Sequence, residues 1–271
     1  MSKILITGTS GYVGSKLVRK LAERSDGRLT MYLLVHKENI SQDILSLPGV
    51  KLVDSSTIYR HDYDCIYHIA AAPDKGDSPS EYLISLLESN FILTAKMLLL
   101  ARDQNIPIVC ASSYSQYEEM NTYRFAKAMS EQYASILNFE KYTFVRFTDI
   151  YGEDDPRRKV FNLFRESVDR KRTFVFKSPA HKPINFTHID DITDGLIYTM
   201  ENPWSHSHIV DLIYKENVIT LGDMAKQINP TMEYAEFPAD NEEDGVYKIP
   251  TNKNRLKGFK LTHKVDFRRG D

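Results

Sequence analysis

The opening fourteen residues leave this chain little freedom of fold. Lys3-Ile-Leu-Ile-Thr7 is a short apolar run of strand type that passes directly into Thr7-Gly8-Thr9-Ser10-Gly11-Tyr12-Val13-Gly14 and then into a helix-forming run, Ser15-Lys-Leu-Val-Arg-Lys-Leu-Ala. Glycines at G-x-x-G-x-x-G spacing between strand and helix each have a separate use. Gly8 permits a tight turn, Gly11 lets the backbone approach an anion, and Gly14 allows close helix–strand packing, while the helix N-terminus offers free N–H groups to a pyrophosphate. Thr7, Gly8, Ser10, Gly11, Tyr12, Val13 and Gly14 are therefore candidate dinucleotide ligands.

The rest of the chain is consistent with that opening. Strand signals near 3–7, 30–35, 50–54, 64–69, 106–112 and 142–147 alternate with helical patterns near 12–25, 80–104 and 121–139, which predicts a parallel sheet covered on both faces. After Gly152 come a charged loop, a helix near 160–170 and a short strand at Thr173–Phe176. Ile184–Ile189 then reads as a strand, followed by a helix whose Asp190 and Asp191 can cap its start. His208–Leu212 and Leu221–Ile228 give one more strand and helix. The expected fold is α/β, a Rossmann-like doubly wound parallel sheet with a smaller C-terminal substrate lobe. Residues 1–152 form the dinucleotide domain, to which 181–213 add a strand and helix, and 153–180 with 214–271 form the lobe.

Composition narrows the function. The chain has 271 residues with 35 basic and 37 acidic side chains, so no broad positive field exists to hold a nucleic acid. Cys65 and Cys110 are its two cysteines and sit in apolar strand-like runs, which suits buried thiols in a reducing compartment. No zinc spacing occurs, and no metal site is expected; His206-Ser-His208 lacks a nearby carboxylate or thiol to complete one. The N-terminal run lacks the charged and apolar regions of a signal peptide, and no stretch reads as a membrane span. A soluble cytoplasmic protein without membrane contact is the expectation.

A second set of residues carries the chemistry. Tyr123 and Lys127 lie four apart in a predicted helix, so both side chains share a face one turn apart. An ammonium beside a phenol favours the phenolate, which makes the tyrosine usable as acid or base for an alcohol–ketone pair. A second such spacing, Tyr12 to Lys16, reads as incidental. The strand Val109–Ser113 ends where a nicotinamide ring would face the sheet's carboxyl edge, so Ser113 can donate to the substrate oxygen beside Tyr123. The second strand ends in His36-Lys37 instead of the carboxylate that reads ribose hydroxyls, which favours NADP(H) and leaves NAD(H) open. Asp54, after the third strand, joins the candidate cofactor ligands.

In order, the glycine turn, His68-Ile-Ala-Ala-Ala72, Asn90, Ser113, Tyr123/Lys127, Arg146-Phe-Thr-Asp-Ile-Tyr-Gly152, Phe186-Thr-His-Ile-Asp-Asp191 and Asn252–Gly258 resemble the extended short-chain dehydrogenase/reductases, the NAD(P)-dependent epimerase/dehydratase family. The resemblance implies Tyr123 as general acid/base, Lys127 on the nicotinamide ribose, Ser113 on the substrate oxygen, Asn90 supporting the active-site water and helix geometry, and Ala70, Ala71 and Ala72 along the cofactor. It also implies a nucleotide-sugar substrate and a homodimer built on helices 80–104 and 121–139.

Departures from the family pattern narrow the reaction. Tyr114-Ser115 stands where dehydratases of the family carry an acidic pair, and Cys110 is on the wrong side of the serine for a C3/C5 epimerase. The segment between Ser113 and Tyr123 is short for the family. Reduction of a 4-keto sugar is the favoured reaction, with an NAD-dependent C4 epimerase as the alternative. A non-catalytic NADP-binding sensor is a second alternative, against which Tyr123 and Lys127 both stand. An Asp149 where the family often has asparagine, and no arginine near Ile184, leave a substrate diphosphate to Arg157, Arg158 and Lys182 as candidates.

Overall fold

A computed structural model describes residues 2–35, 40–73, 78–117, 120–157, 174–175, 180–181, 183–203, 208–213, 215–228, 234–235 and 254–265. The expected helix near 160–170, and the candidates His36, Lys37, Arg158 and Lys182, lie outside them.

Seven parallel strands form the main sheet. These are β1 (Ser2–Thr7), β2 (Leu29–Leu34), β3 (Val50–Val53), β4 (Cys65–His68), β5 (Ile108–Ser113), β6 (Tyr142–Phe147) and β10 (Ile209–Leu212). Their order is β10-β6-β5-β4-β1-β2-β3. The chain winds outward from β1 in one direction and then returns through β4 in the other, so the strand order reverses between β1 and β4. Ligands bind at such a reversal, beyond the carboxyl ends of the strands.

Side-chain alternation divides the core. Ile4, Ile6, Leu33, Val109 and Val145 face one side with Leu17 and Val18 of α1 (Tyr12–Ser25) and Ile192 and Leu196 of α6 (Ile189–Glu201). Leu5, Ile66, Ile108, Cys110 and Phe144 face the other, against Met97, Leu98 and Ala101 of α4 (Leu93–Gln104). Both cysteines are buried as free thiols.

Helix α3 (Ser80–Leu87) joins α4 through one π turn, Glu88–Ile92. The continuous helix Ser80–Gln104 is long and apolar enough to cross a membrane, which corrects the sequence reading that no stretch qualifies. Its inner side carries Leu86, Asn90, Thr94, Met97, Leu98, Leu100 and Ala101, all buried in this fold, whereas Ile84 and Ile92 are exposed. Helix α5 (Thr122–Ser135) packs beside it.

A three-stranded sheet, order β11-β9-β7, stands apart from the main one. It contains β7 (Asp149–Tyr151), β9 (Pro183–His188) and β11 (Val218–Thr220). The strand expected at Ile184–Ile189 therefore pairs here, while β10 and α6 complete the main sheet. The cap of α6 also differs from expectation. His188 occupies the N-cap and its Nδ1 accepts the Asp190 N–H at 3.2 Å, leaving Asp191 to bind the backbone of Thr262 and His263.

Two glycines of the first turn are sterically required. Gly8 has φ +75°, and a Cβ on it would lie 2.5 Å from the Ala70 nitrogen. A Cβ on Gly14 would lie 2.1 Å from the Gly8 carbonyl oxygen, so α1 packs against the turn itself rather than against a strand. Gly14→Ala is expected to cost about 3 kcal/mol by overpacking backbone on backbone. Urea unfolding measures this, and an unchanged midpoint would show that the turn relaxes freely.

Candidate active site

The turn between β1 and α1 is built as an anion cradle. Gly11 caps α1 with extended backbone and no side-chain hydrogen bond, and the first turn of the helix holds no acidic residue. Its leading N–H groups therefore face outward with the positive end of the helix dipole. Ser10 and Gly11 form the exposed tip. A Cβ on Gly11 would meet only the Gly8 carbonyl, at 3.4 Å, so the space above it is open. Thr9 Oγ1 is a buried polar atom with no hydrogen-bond partner among the described residues. These features fit a dinucleotide pyrophosphate.

Other candidates have defined tasks at the same edge. Thr7 Oγ1 accepts the N–H groups of Ile69 and Ala70 at 3.2 and 3.1 Å, which fixes the end of β1 to the end of β4. The Asn90 amide takes the Ala72 N–H at 2.7 Å and donates to the Ala72 carbonyl at 2.9 Å, so Ala70, Ala71 and Ala72 are held as a short rail beside the glycine turn. Asp54 is exposed, and its Oδ1 accepts from Ser56 N, Ser56 Oγ and Thr57 N; these bonds, led by the Ser56 hydroxyl, pull its pKa below the usual carboxylate value. That carboxylate shapes its own turn at the end of β3.

Between the rail and α5 lies a residue that the motif reading did not single out for a role. His68, the last of β4, is 2 % exposed. Its Nδ1 is 2.8 Å from Thr7 Oγ1 and its Nε2 is 2.9 Å from Thr94 Oγ1. The Thr94 hydroxyl donates to the Asn90 carbonyl at 2.8 Å, so it must accept from His68 Nε2–H, and Nδ1 then accepts from Thr7. This network fixes one neutral tautomer. Burial and the nearby Lys127 charge push the His68 pKa down to about 3. Asn90 lies within the π turn, and the Ser130 hydroxyl of α5 donates to the same carbonyl oxygen at 3.0 Å.

Tyr123 and Lys127 come together as the spacing predicts. Asn121 caps α5 by accepting the Arg124 N–H, which starts the helix just before Tyr123. Lys127 Nζ lies 5.9 Å from the centre of the Tyr123 ring. It also donates to the Ala111 carbonyl at 3.0 Å, two residues before Ser113 on β5, and so ties α5 to the strand end that carries the serine. Lys127 is buried, and desolvation lowers its pKa to about 8, with Cys110 and Glu131 acting in the opposite direction. Ser113 Oγ is 2.8 Å from Ser115 Oγ and accepts the Ser115 N–H at 3.2 Å.

The substrate side is less as expected. Tyr12 turns its phenol toward the loop after β7, donating to the Glu153 carbonyl at 2.6 Å, and Arg157 lies 5.1 Å over its ring. Arg157 also grips Asp155 with two hydrogen bonds, at 2.7 and 2.6 Å. Lys16 pairs with Asp154 at 3.4 Å. Tyr12, Lys16 and Arg157 thus brace the turn against the smaller sheet. Asp149 is exposed on β7, two residues beyond Phe147, the register partner of Ser113. His188, Asp190 and His263 form the one cluster of three potential metal ligands among the described residues. The two imidazoles stack at 3.9 Å and 16°, and His188 Nδ1 accepts the Asp190 N–H.

The seven-stranded parallel sheet and its glycine turn define a Rossmann-like fold of the short-chain dehydrogenase/reductase type. The profile of the NAD dependent epimerase/dehydratase family matches residues 4–212, and the chain belongs to that family. An ADP-L-glycero-D-manno-heptose-6-epimerase of Brachyspira hyodysenteriae is 22% identical over 242 residues, covering 74% of this chain and 72% of its own. UDP-glucuronic acid decarboxylase 1 of Arabidopsis thaliana is 22% identical, covering 99% of this chain and 68% of its own. Among solved structures, UDP-glucuronic acid 4-epimerase from Bacillus cereus, in complex with UDP-glucuronic acid and NAD, superposes with TM-score 0.72 at 18% identity, covering 87% of this chain and 86% of that one.

The histidine offers a direct test of this architecture. Its folded pKa lies below its ordinary value of 6.5, so the stability it confers is present above pH 6.5 and is lost as pH falls toward 3. Unfolding midpoints are expected to drop over that window with a slope approaching one proton. His68→Gln, which keeps a donor and an acceptor, should flatten that drop; an equal slope in both proteins would contradict the assignment.

Proposed function

We propose that this chain moves hydride between a nicotinamide dinucleotide and a nucleotide sugar, most directly in reducing a 4-keto sugar. The observation that carries the reading is the Tyr123–Lys127 pair on α5, tied through Ala111 to the strand end bearing Ser113. Gly8, Gly11, Gly14 and the α1 N-terminus would hold the pyrophosphate, with Ala70–Ala72 alongside. When bound, the dinucleotide supplies or accepts hydride at its nicotinamide ring. Tyr123 gives its proton to the ketone oxygen on reduction and takes it back on oxidation, with Lys127 favouring the phenolate. Ser115 N–H donates to Ser113 Oγ, and with the Ser115 hydroxyl donating to the same oxygen the Ser113 proton points at the substrate oxygen.

Tyr114-Ser115 in place of an acidic pair supports hydride transfer without elimination. The His36-Lys37 pair supports NADP(H). The NAD bound in the Bacillus cereus structure favours a second reading, an NAD-dependent C4 epimerase that oxidises and re-reduces one carbon.

The same reading includes a cytoplasmic homodimer. Ile84, Ile92, Phe125 and Met129 are exposed on the adjoining helices α3–α4 and α5, an apolar surface that a second copy would cover. Light scattering at micromolar concentration is expected to give twice the chain mass, and Phe125→Glu to halve it. A parent protein of monomeric mass would contradict this part.

Thermal-shift measurements with NAD, NADPH and UDP- and dTDP-sugars test the rest. A ligand at about a thousand times its Kd should add about 4 kcal/mol of stability. Tyr123→Phe is expected to keep the cofactor shift and lose turnover by about 1000-fold or more. Full turnover in that variant would remove Tyr123 from the mechanism.

A further inference from the structure

Glu131 lies one helical turn beyond Lys127 on α5 and is 8 % exposed. Its carboxylate is surrounded by donors from three elements. Ser112 Oγ on β5 donates to Oε1 at 2.7 Å, and Gln116 Nε2, in the 3-10 turn after β5, lies 3.1 and 3.2 Å from the two oxygens. Arg146 on β6 donates from Nε to Oε1 at 2.9 Å and from Nη2 to Oε2. Ser112 and Gln116 bracket Ser113 and Ser115. One carboxylate therefore grips the chain immediately before and after the Ser113 and Ser115 hydroxyls. A buried ion pair is a weak device for stability alone, so holding α5 on the sheet does not account for this arrangement.

We propose that Glu131 is the positioning residue of the proton-transfer site: its carboxylate, bound by Ser112, Gln116 and Arg146, holds the Ser113 turn in register with α5 one helical turn from Lys127. The inference rests on the reading of Tyr123, Lys127 and Ser113 given above. The groups facing Lys127 from the elements packed around it are Tyr123 and Glu131 on α5, Cys110 and the Ala111 carbonyl on β5, and His68 on β4. His68 is held neutral, and burial pushes the Cys110 thiol up, so that it too stays uncharged near neutral pH. Glu131 is the formal negative charge in that set, and it is itself paired with Arg146 of β6. Without it, desolvation of Lys127 is opposed less, the ammonium loses its proton at lower pH, and the phenol ionises less readily.

The test is a titration followed at the tyrosinate absorbance band, on the full chain with NAD present, taking Tyr123 as the difference between the chain and its Tyr123→Phe variant. Glu131→Gln is expected to move the Tyr123 midpoint upward by about one pH unit, the scale of losing a nearby opposite charge through one intermediary. Gln116→Leu, which loosens the turn and retains the charge, should leave the midpoint in place. A folded Glu131→Gln protein with an unmoved midpoint overturns the proposal, as does an equal shift in Gln116→Leu. If Glu131→Gln does not fold, the double variant Glu131→Gln/Arg146→Met also removes the guanidinium that Glu131 balanced and is titrated instead. A parent protein whose Tyr123 titrates in the ordinary phenol range would overturn the underlying tyrosine–lysine reading, a different result.

Discussion

The hydrogen-bond relay through His68 is the constraint on which the site depends. Thr7 closes the first strand, His68 the fourth, and Thr94 and Asn90 lie on the long helix, so three separate elements meet at one neutral imidazole. The relay is satisfied in only one proton arrangement. Because a buried polar group left unpaired costs more than its bond contributes, each member holds the others in place. The Thr7 end of the relay fixes the backbone next to the glycine turn, and the Asn90 end reaches α5 through Ser130. The cradle for the dinucleotide and the helix that carries Tyr123 are thus set relative to each other by the same few atoms.

Around that frame the electrostatics are economical. Lys127 is stripped of water, which would by itself drive off its proton, and a carbonyl and a buried carboxylate work against that loss. The result is an ammonium whose charge responds to pH near the working range, under a phenol. The neighbouring Ser113–Ser115 pair offers hydroxyl protons and no acid. Such a site can pass a hydride and a proton across one carbon–oxygen bond.

The glycine turn, the alternation of strands and helices and the Tyr123–Lys127 spacing were all legible in the sequence, because each is written within a few residues of itself. Periodicity placed all seven strands of the main sheet and the long helices that flank them. What could not be read arises from contacts distant along the chain. The partners of His68 are 61 and 26 residues away, and Arg146 is 15 residues beyond Glu131. Glu131 does continue the Tyr123–Lys127 stripe at the next helical turn, a signal that spacing alone could have raised. The long helix passed unrecognised as a membrane-length apolar segment because its polar residues interrupt the run in sequence while one face stays apolar in space. Arg157, a candidate for a substrate diphosphate, meets Asp155 and Tyr12 in the fold, contacts that a charge run does not reveal.

A crystal structure of the chain with bound NAD or NADPH tests the central claim most directly. The account predicts the pyrophosphate over Gly11 at the start of α1, the adjacent ribose on Lys127, and the nicotinamide ring facing the Tyr123 hydroxyl beside Ser113. A dinucleotide seated elsewhere, or a Tyr123 side chain directed away from the ring, would contradict it.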